Sequence, residues 1–442
     1  MIINRYYIDC LSQASYLLGD ERSGQALLVD PRRDVADYLH DADEADLRIV
    51  GVMNTHFHAD FLAGHLEVAE ATGAWIGYGA KAEADYPIRR FAHGDRLRLG
   101  DLEIEVLETP GHTWESISLL VHEPGRGEPS AVFTGDALFI GDVGRPDLAV
   151  AVGADPRELA QAMHRTVSLF RGLPDSVRVF PGHGAGSACG RNLSDAPEST
   201  IGEQRATNPA LQPLSEEEFV DRLLQGQPSI PRYFSQDAIA NRRVHPLLDT
   251  TAPAPIAPEA VPAGTLLIDG RDAARFSLGT LPAAINVDLN GRFAETVGMF
   301  ADLADEVVVV VSEDRAAEAR TRLGRVGIDN VLGYVSEEAL LDSALVEAAP
   351  RVQPENVQDL LAQDSVVFVD VRNPGEYASG GIPGAVRIPL AELASRAAEI
   401  GRNRPIVAYC ASGRRSSTAA SYLRGTGLAA TDLAGGYAAL RS

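Results

Sequence analysis

Apolar and polar residues alternate along short stretches of the first half of the chain, and each stretch runs into a glycine-flanked loop. Leu102, Ile104 and Val106 occupy every second position, which predicts a half-buried β-strand leading into Gly111 and His112. Three further apolar runs also end in polar loops: 49–53 before His56, 131–133 before Asp136, and 177–180 before His183. Polar side chains gathered at strand ends are typical of a site built on a sheet scaffold.

The second half predicts a parallel sheet, because short aliphatic runs end at loops and are followed by alanine-rich helical stretches. This pattern occurs twice. Residues 267–271 correspond to 368–372, and residues 307–310 correspond to 407–410, which pairs Val310 with Cys410. The second half is therefore interpreted as an internal duplication of one α/β unit.

Proline-rich stretches predict the boundaries between domains. Residues 250–262 contain repeated prolines, which lack an amide donor and fix φ, so this stretch predicts an extended linker rather than a helix or a central strand. A weaker break lies at 348–354. The predicted organisation is a domain over 1–249, a linker over 250–264, and two α/β domains over 265–349 and 352–442.

Composition and charge narrow the class of protein. A length of 442 residues predicts several domains, and 45% hydrophobic with 23% charged residues is typical of soluble globular proteins. The longest aliphatic run, 307–311, is too short to span a bilayer, and the N-terminus lacks a signal-peptide core. A net charge of -23 disfavours nucleic-acid and membrane-surface partners. Three cysteines indicate thiols in a reducing compartment, so we expect a cytoplasmic location.

Five residues of the first half offer ligands for a metal ion. His56 and His58 are two residues apart, so an extended segment would place them on one face. A turn after the strand would return Asp60 towards them, and His112 with Asp136 completes a set of nitrogen and oxygen ligands for one transition metal. A single histidine is more often packed than functional, but five such residues in loops after strands favour a site.

The stretches His56–x–His58–x–Asp60, Gly111-His112, Gly135-Asp136 and Gly182-His183 resemble the metallo-β-lactamase superfamily over roughly residues 1–245. The resemblance implies an αββα sandwich. In hydrolytic members such as glyoxalase II the first motif continues into another histidine, and two metals share the aspartate. This chain has Phe61 at that place, and because a phenyl ring cannot ligate a metal, one ion is the simpler expectation.

The same motifs are similar to those of the persulfide dioxygenases of this superfamily, in which the matching residues hold one iron. The resemblance implies Fe(II), one per chain, at His56, His112 and Asp136, with open positions for O2 and a substrate sulfur. His58, Asp60 and His183 would then orient the ligands and bound water. The alternative is that these three residues still hold a second metal.

Two residues near this site keep two interpretations each. Arg145, in the loop after Asp136, could bind an anionic substrate or could brace the loop. Cys189, a few residues beyond His183, could be a packed small side chain or a sulfur relay near the metal.

The segment Cys410–Ser416 follows a predicted strand and opens a predicted helix. A cysteine there gains from unpaired amides and from the positive end of the helix, both of which favour a thiolate, and Arg415 adds a fixed positive charge. With Asp370, Arg372 and residues 381–385, the loop resembles the rhodanese sulfurtransferases over about 352–442. The resemblance implies catalytic roles for Cys410 and Arg415, and substrate contacts for Gly413 and Arg414.

The first copy lacks this chemistry. It has no cysteine at the corresponding position, and Glu313 and Asp314 would repel anions. We therefore expect an inactive structural or docking copy.

The order of domains resembles that of bacterial fusions of a persulfide dioxygenase with rhodanese domains. The resemblance implies oxidation of a low-molecular-weight thiol persulfide with O2 to sulfite, and transfer of sulfane sulfur through Cys410 to or from thiosulfate. A homo-oligomer is compatible with this hypothesis. One alternative is a zinc thioester hydrolase of the glyoxalase II type. Another is a persulfide carrier whose first domain has lost catalysis.

Overall fold

The structure, a computed structural model, describes residues 1–401 and 403–441, without the side chains of residues 151–152. It contains two compact units. The first comprises Met1–Gln227 and Phe234–Leu248, and the second comprises Pro228–Tyr233 and Asp249–Ser442. The short stretch 228–233, predicted to belong to the first domain, thus groups with the second unit. Within the described ranges, no helix has the length and apolar character needed to cross a membrane.

The first unit contains two six-stranded sheets. In the first sheet the strands follow chain order, and the last four run parallel: β1 Ile2–Ile8, β2 Gln13–Asp20, β3 Gln25–Val29, β4 Arg48–Met53, β5 Trp75–Gly79 and β6 Arg89–Phe91. In the second sheet the order is β12-β11-β10-β9-β8-β7, and only β10 and β11 pair parallel: β7 Arg96–Leu99, β8 Leu102–Glu108, β9 Ile117–His122, β10 Ala131–Gly135, β11 Arg178–Pro181 and β12 Ser199–Thr200.

Apolar side chains fill the space between the two sheets and cover both outer faces. Met53, Val106 and Phe133 belong to the cluster between the sheets. The outer clusters include Tyr38 on one side and Met163 on the other. The helices of this unit are α1 Ala36–Glu44, α2 His65–Thr72, α3 Pro156–Arg171, α4 Ile201–Thr207, α5 Glu216–Leu224 and α6 Phe234–Ala240. The predicted αββα sandwich is confirmed.

Hydrogen bonds connect the loops at one edge of the sandwich. Ile117 N–H donates to the carbonyl of Thr55 at 2.9 Å, which joins the loop after β4 to the start of β9. Ala14 N–H donates to Gly182 O at 2.8 Å, which joins the start of β2 to the loop after β11. These bonds bring loops from both sheets to a common edge.

The second unit contains two four-stranded parallel sheets with the same strand order, in agreement with the predicted duplication. The first copy, in the order β14-β13-β15-β16, consists of β13 Leu266–Asp269, α7 Ala273–Leu278, β14 Ile285–Asn286, α8 Phe293–Gly298, β15 Val307–Val310, α9 Ala316–Gly324, β16 Val331–Val335 and α10 Glu337–Leu341. The second copy, in the order β18-β17-β19-β20, consists of α11 Val357–Ala362, β17 Val367–Asp370, β18 Val386–Arg387, α12 Leu393–Arg396, β19 Ile406–Tyr409, α13 Arg414–Gly425 and β20 Ala430–Asp432.

Strand register corrects one residue of the predicted pairing between the copies. Asp269 lies opposite Val310 in the first copy, whereas Asp370 lies opposite Tyr409 in the second. The counterpart of Cys410 is therefore Val311, and the pairing of Cys410 with Val310 was wrong by one position. The aliphatic run 307–311 contains no distinctive residue that could fix its register from sequence.

The stretch predicted as an extended linker is part of the first copy's sheet edge. Ile256 N–H donates to Tyr334 O at 2.7 Å, and Tyr334 N–H donates to Ala254 O at 2.9 Å. The side chain of Ile256 packs against the apolar cluster of this copy. Because prolines are tolerated at a sheet edge, the segment is extended as predicted but is anchored along β16.

Candidate metal centre and thiol site

The three predicted metal ligands lie together at the edge where the loops meet. His56 follows β4, His112 follows β8 and Asp136 follows β10, and each is 1% exposed. Asp136 Oδ2 lies 3.5 Å from His112 Nε2 and 3.9 Å from His56 Nε2. One ligand atom from each residue lies within 4.8 Å of the other two. This spacing is within reach of a single metal ion.

Hydrogen bonds fix the tautomer of both histidines. His112 Nδ1–H donates to Arg145 O at 2.9 Å, and His56 Nδ1–H donates to Thr55 Oγ1 at 2.9 Å. Each ring therefore keeps a lone pair on Nε2, the atom that faces Asp136. Bonds of this kind to the other ring nitrogen are how proteins orient metal-ligating imidazoles.

The donor atoms of this group also lack other partners. Among the described residues, neither the buried His56 Nε2 nor the buried Asp136 Oδ2 takes part in a hydrogen bond. Burial, reinforced by the neighbouring His58, holds the pKa of His56 well below its usual value, so the ring is neutral. An unpartnered buried polar atom is costly, and a bound cation would remove that cost. The residues present therefore fit a metal ion held by two imidazoles and one carboxylate.

Asp30, which directly follows β3, supports the site and was missed from sequence. Its Oδ1 accepts Thr55 N–H at 2.7 Å, and its Oδ2 accepts the Thr55 hydroxyl at 2.9 Å. His58 Nε2–H donates to the same Oδ1 at 3.1 Å. The signal was available, because Asp30 also is a polar residue directly after an apolar run.

His58 thus faces Asp30, and the ring of Phe61 covers it at a centroid distance of 4.3 Å. His183 bridges two carboxylates instead. Its Nδ1 donates to Asp136 Oδ1 at 2.7 Å, and its Nε2 donates to Asp60 Oδ2 at 2.7 Å. Burial opposes the charged ring, but the two carboxylates outweigh it and raise the pKa of His183 well above its usual value.

This arrangement bears on the alternative of a second metal. Both nitrogens of His183 donate to carboxylates, so neither presents a lone pair to another ion. The donor atoms of Asp60, His183 and Cys189 do lie within 4.8 Å of one another. A second ion at these three residues would therefore first have to displace the bonds of His183.

Glycines let the loops close around Asp136. A Cβ at Gly182 would lie 2.7 Å from Asp136 Oδ1, and one at Gly144 would lie 2.0 Å from the carbonyl oxygen of Asp136. A larger residue at Gly182 would press on the carboxylate of Asp136, and one at Gly144 would press on its backbone carbonyl.

The contacts of Arg145 favour its role as a brace. Its side chain is 1% exposed, and its guanidinium donates to Asp147 Oδ1 at 2.7 Å, to Asp147 Oδ2 at 2.5 Å and to Ala188 O at 3.2 Å.

Cys189 is buried, and burial together with the nearby carboxylates of Asp60 and Asp136 raises the pKa of its thiol well above the usual value. A protonated thiol favours packing over sulfur relay.

The thiol loop connects β19 to α13. Cys410 follows the last strand residue, and its buried Sγ accepts Gly413 N–H at 3.1 Å and lies 3.6 Å from Ser416 Oγ. Gly413 precedes α13 with φ of 93°, a conformation that disfavours a side chain. The loop therefore aims one backbone amide, at a helix N-terminus, at the sulfur.

The two arginines after Gly413 have different partners. Arg415 donates to both carboxylate oxygens of Glu376, at 2.7 Å and 2.8 Å. Arg414 has a side chain 61% exposed, and its Nε lies 3.3 Å from Asp288 Oδ2 of the first copy. The predicted substrate contacts, Gly413 and Arg414, thus lie in the loop and helix start that follow Cys410. The ion-pair partner of Arg414, Asp288, belongs to the first copy.

The corresponding loop of the first copy contains no sulfur. Val311 is buried, and residues 313–315 form a short 3-10 turn before α9. Arg315 at this turn pairs with Glu318, with Nε at 2.9 Å from Oε2. This loop, all of which the structure describes, therefore presents neither a thiol nor a free cation.

Comparisons with known proteins agree with this geometry. The metallo-beta-lactamase superfamily profile matches residues 8–183, and the rhodanese-like domain profile matches residues 353–442. The mitochondrial persulfide dioxygenase ETHE1 of Homo sapiens is 31% identical over 224 residues, which are 49% of this chain and 78% of that protein. A hydroxyacylglutathione hydrolase of Hyphomonas neptunium is 35% identical over 187 residues, 41% of this chain and 67% of that protein.

A crystal structure of a metallo-beta-lactamase from Staphylococcus aureus superposes with a TM-score of 0.71 at 32% identity, covering 76% of this chain and 98% of that one. Together, the two profiles, these relatives and the geometry of both sites identify the family. The chain belongs to the metallo-beta-lactamase superfamily, is a homologue of the persulfide dioxygenases, and carries a rhodanese-like domain in its C-terminal part.

Proposed function

We propose that the protein is a non-haem iron persulfide dioxygenase fused to a sulfurtransferase, and that it serves sulfide detoxification. The observation that carries the proposal is the pair of buried, unpartnered atoms His56 Nε2 and Asp136 Oδ2 beside His112 Nε2. Two imidazoles and one carboxylate are the donor set of oxygen-activating iron sites. The persulfide dioxygenase ETHE1, aligned over nearly half the chain, supports the same assignment.

In this proposal His56, His112 and Asp136 hold one Fe(II) per chain. Bound Fe(II) would supply the redox chemistry with O2 that zinc lacks. The reaction consumes one persulfide RSSH, one O2 and one water, and yields the thiol RSH, sulfite and two protons. Thr55 and Asp30 keep His56 in the ligating tautomer, and His183 holds Asp136 Oδ1 so that Oδ2 points to the histidines.

The thiol site carries the second reaction. The Cys410 thiolate attacks the outer sulfur of thiosulfate, a new S–S bond forms on Sγ, and the S–S bond of thiosulfate breaks to release sulfite. The reverse step returns the sulfur to sulfite. Gly413 N–H and the positive charges of Arg414 and Arg415 would stabilise the anionic sulfur.

The domain limits 1–249, 265–349 and 352–442, with an inactive first copy, belong to this proposal, as does a cytoplasmic location. The three free thiols Cys10, Cys189 and Cys410 are compatible with a reducing compartment.

Oxygen consumption by iron-loaded protein tests the proposal. We expect persulfide-dependent O2 uptake with one iron per chain, loss of uptake in His112→Ala, and retention of thiosulfate sulfurtransfer in that variant. A panel of persulfides of glutathione, coenzyme A and other small thiols would identify the carrier. The dioxygenase proposal fails if iron-loaded protein shows no persulfide-dependent uptake.

A thioester hydrolase is a second candidate, because a hydroxyacylglutathione hydrolase is 35% identical to part of the chain. Two zinc ions per chain with thioester hydrolysis would favour it. A persulfide carrier is a third candidate. It predicts that His112→Ala leaves the biological activity intact whereas Cys410→Ser removes it.

A further inference from the structure

The helix that forms the thiol site is docked on the first copy. Three hydroxyl side chains of α13, all buried, contact Asn286 at the end of β14. Ser417 Oγ donates to Asn286 Oδ1 at 2.6 Å, and Thr418 Oγ1 donates to Asn286 O at 2.6 Å. The backbone N–H of Asn286 donates to Ser421 Oγ at 2.9 Å. The helix behind Cys410 is thus hydrogen-bonded to the sheet edge of the copy that lacks a thiol.

Asn286 is itself fixed inside the first copy. Its Nδ2 donates to Asp269 O at 3.1 Å and to Arg271 O at 2.8 Å. The Nδ2 group of Asn286 therefore donates within the first copy, whereas its Oδ1 accepts from Ser417 of α13. This network sets the position of α13, and with it Arg414, relative to the loop that follows β14.

That loop brings Asp288 to Arg414 at the start of α13. The distance from Asp288 Oδ2 to Arg414 Nε is 3.3 Å, and the Asp288 side chain is 9% exposed whereas that of Arg414 is 61% exposed. Asp288 is itself held in place, because its Oδ1 accepts the Asn290 backbone N–H at 2.9 Å and the Asn290 side-chain amide at 3.1 Å. The carboxylate is therefore held by hydrogen bonds, and the guanidinium it partly neutralises is exposed on the first residue of α13, directly after Gly413 of the thiol loop.

We propose that the first copy sets the charge selectivity of the thiol site, with Asp288 as the specificity-determining residue acting on Arg414. An anionic sulfur donor that approaches Cys410 competes with Asp288 for the Arg414 guanidinium. The competition weakens the binding of a dianion such as thiosulfate more than that of an uncharged sulfane donor. The inference rests on the proposed sulfurtransferase activity of Cys410.

Steady-state sulfurtransfer by the full chain tests this inference. Asp288→Asn keeps an oxygen that can accept the Asn290 N–H but removes the charge. We expect KM for thiosulfate to fall about two- to fivefold with kcat unchanged, the range of an exposed ion pair, and to fall less at high salt. KM for an uncharged organic trisulfide should not change.

Asp342→Asn is the matched control, because it removes one exposed negative charge of the same copy at the end of α10. Its KM should equal that of the unaltered protein. Arg414→Gln should raise KM for thiosulfate, and adding Asp288→Asn to it should produce no further change, as expected for residues that act through one another.

The outcomes separate the two hypotheses. If the unaltered protein transfers no sulfur from thiosulfate, the proposed sulfurtransferase function fails. If it does transfer sulfur but Asp288→Asn leaves KM for thiosulfate unchanged, or lowers KM equally in the Arg414→Gln background, the role of Asp288 is overturned.

Discussion

The two copies of the second unit share a buried brace and differ in one loop. In the first copy Arg271 donates to Asp269 at 2.9 Å and 2.6 Å and to Gly279 O at 2.7 Å. In the second copy Arg372 makes the same bonds, to Asp370 at 2.9 Å and 2.6 Å and to Gly380 O at 2.6 Å. The loop after the third strand, by contrast, contains Cys410 in one copy and Val311 in the other.

The difference separates what maintains the fold from what carries chemistry. The Asp–Arg brace ties the end of the first strand to the following segment in both copies, so it belongs to the scaffold. The thiol loop can change without loss of that scaffold. Variants in the brace should therefore reduce the stability of either copy to a similar extent. Variants in the thiol loop should affect the chemistry of the second copy alone.

The largest expected effect is on the thiol loop. Cys410→Ser should lower thiosulfate sulfurtransfer by at least about 10³-fold, because the hydroxyl is a far weaker nucleophile and no other described thiol lies in that loop. Persulfide-dependent O2 uptake should be unchanged. Ser312→Ala, in the corresponding loop of the first copy, is the control and should leave both activities intact. Transfer by Cys410→Ser at a rate close to that of the unaltered protein would contradict the assignment.

The brace should be the next most sensitive element. Asp269→Asn and Asp370→Asn each leave a buried arginine without its carboxylate, so each should destabilise its own copy by about 3–5 kcal/mol. Hydrogen–deuterium exchange of the two sheets, read separately, measures this without assuming two-state unfolding of the whole chain. Unequal losses in the two copies would show that the braces are not equivalent.

A smaller effect is expected at Glu376, which holds Arg415 in the second copy. Burial alone would raise the pKa of Glu376, but the hydrogen bonds from Arg415 hold this pKa below its usual value. A depressed folded pKa contributes stability that is present above about pH 4.3, the unfolded value, and is lost as pH falls through the folded pKa.

The melting temperature of the unaltered protein should therefore drop more steeply between about pH 5 and pH 3 than that of Glu376→Gln. Glu355→Gln, an exposed carboxylate of the same copy, should retain the steep profile. Parallel profiles for Glu376→Gln and the unaltered protein would remove this residue from the acid sensitivity.

The smallest effect is expected from grafting the thiol. Val311→Cys in a Cys410→Ser background should restore no measurable sulfurtransfer. The first copy's loop enters α9 through a 3-10 turn that contains Glu313 and Asp314, and the Arg315 of this turn is paired with Glu318, so the loop adds two carboxylates near the thiolate and no free cation. Alkylation of the introduced thiol by a neutral reagent would verify that it is accessible. Recovered activity would mean that the scaffold, rather than the loop, limits the chemistry.

Sequence was sufficient for the residues that come directly after strands. The loops with His56, His112, Asp136 and Cys410 were predicted because short apolar runs end just before them, and the structure brings the three metal candidates together. The paired parallel sheets followed from the same periodicity, and the αββα sandwich followed from the family resemblance.

What sequence could not provide depends on contacts distant in the chain. Asp30 meets Thr55 and His58 only because β3 and β4 are neighbours. The bonds of Asn286 with α13 join residues far apart in the chain, and the aliphatic run at β15 offered no mark for its register. The two interpretations of Arg145 are equal in the sequence, and the burial and the Asp147 bonds that favour a brace depend on the folded loop.

The bridge formed by His183 between Asp60 and Asp136 has a consequence for engineering a second metal site. Phe61→His alone would supply one ligand but would leave His183 and His58 hydrogen-bonded to carboxylates. Several coordinated replacements would be required, and the intermediates would have disrupted hydrogen bonds around Asp136.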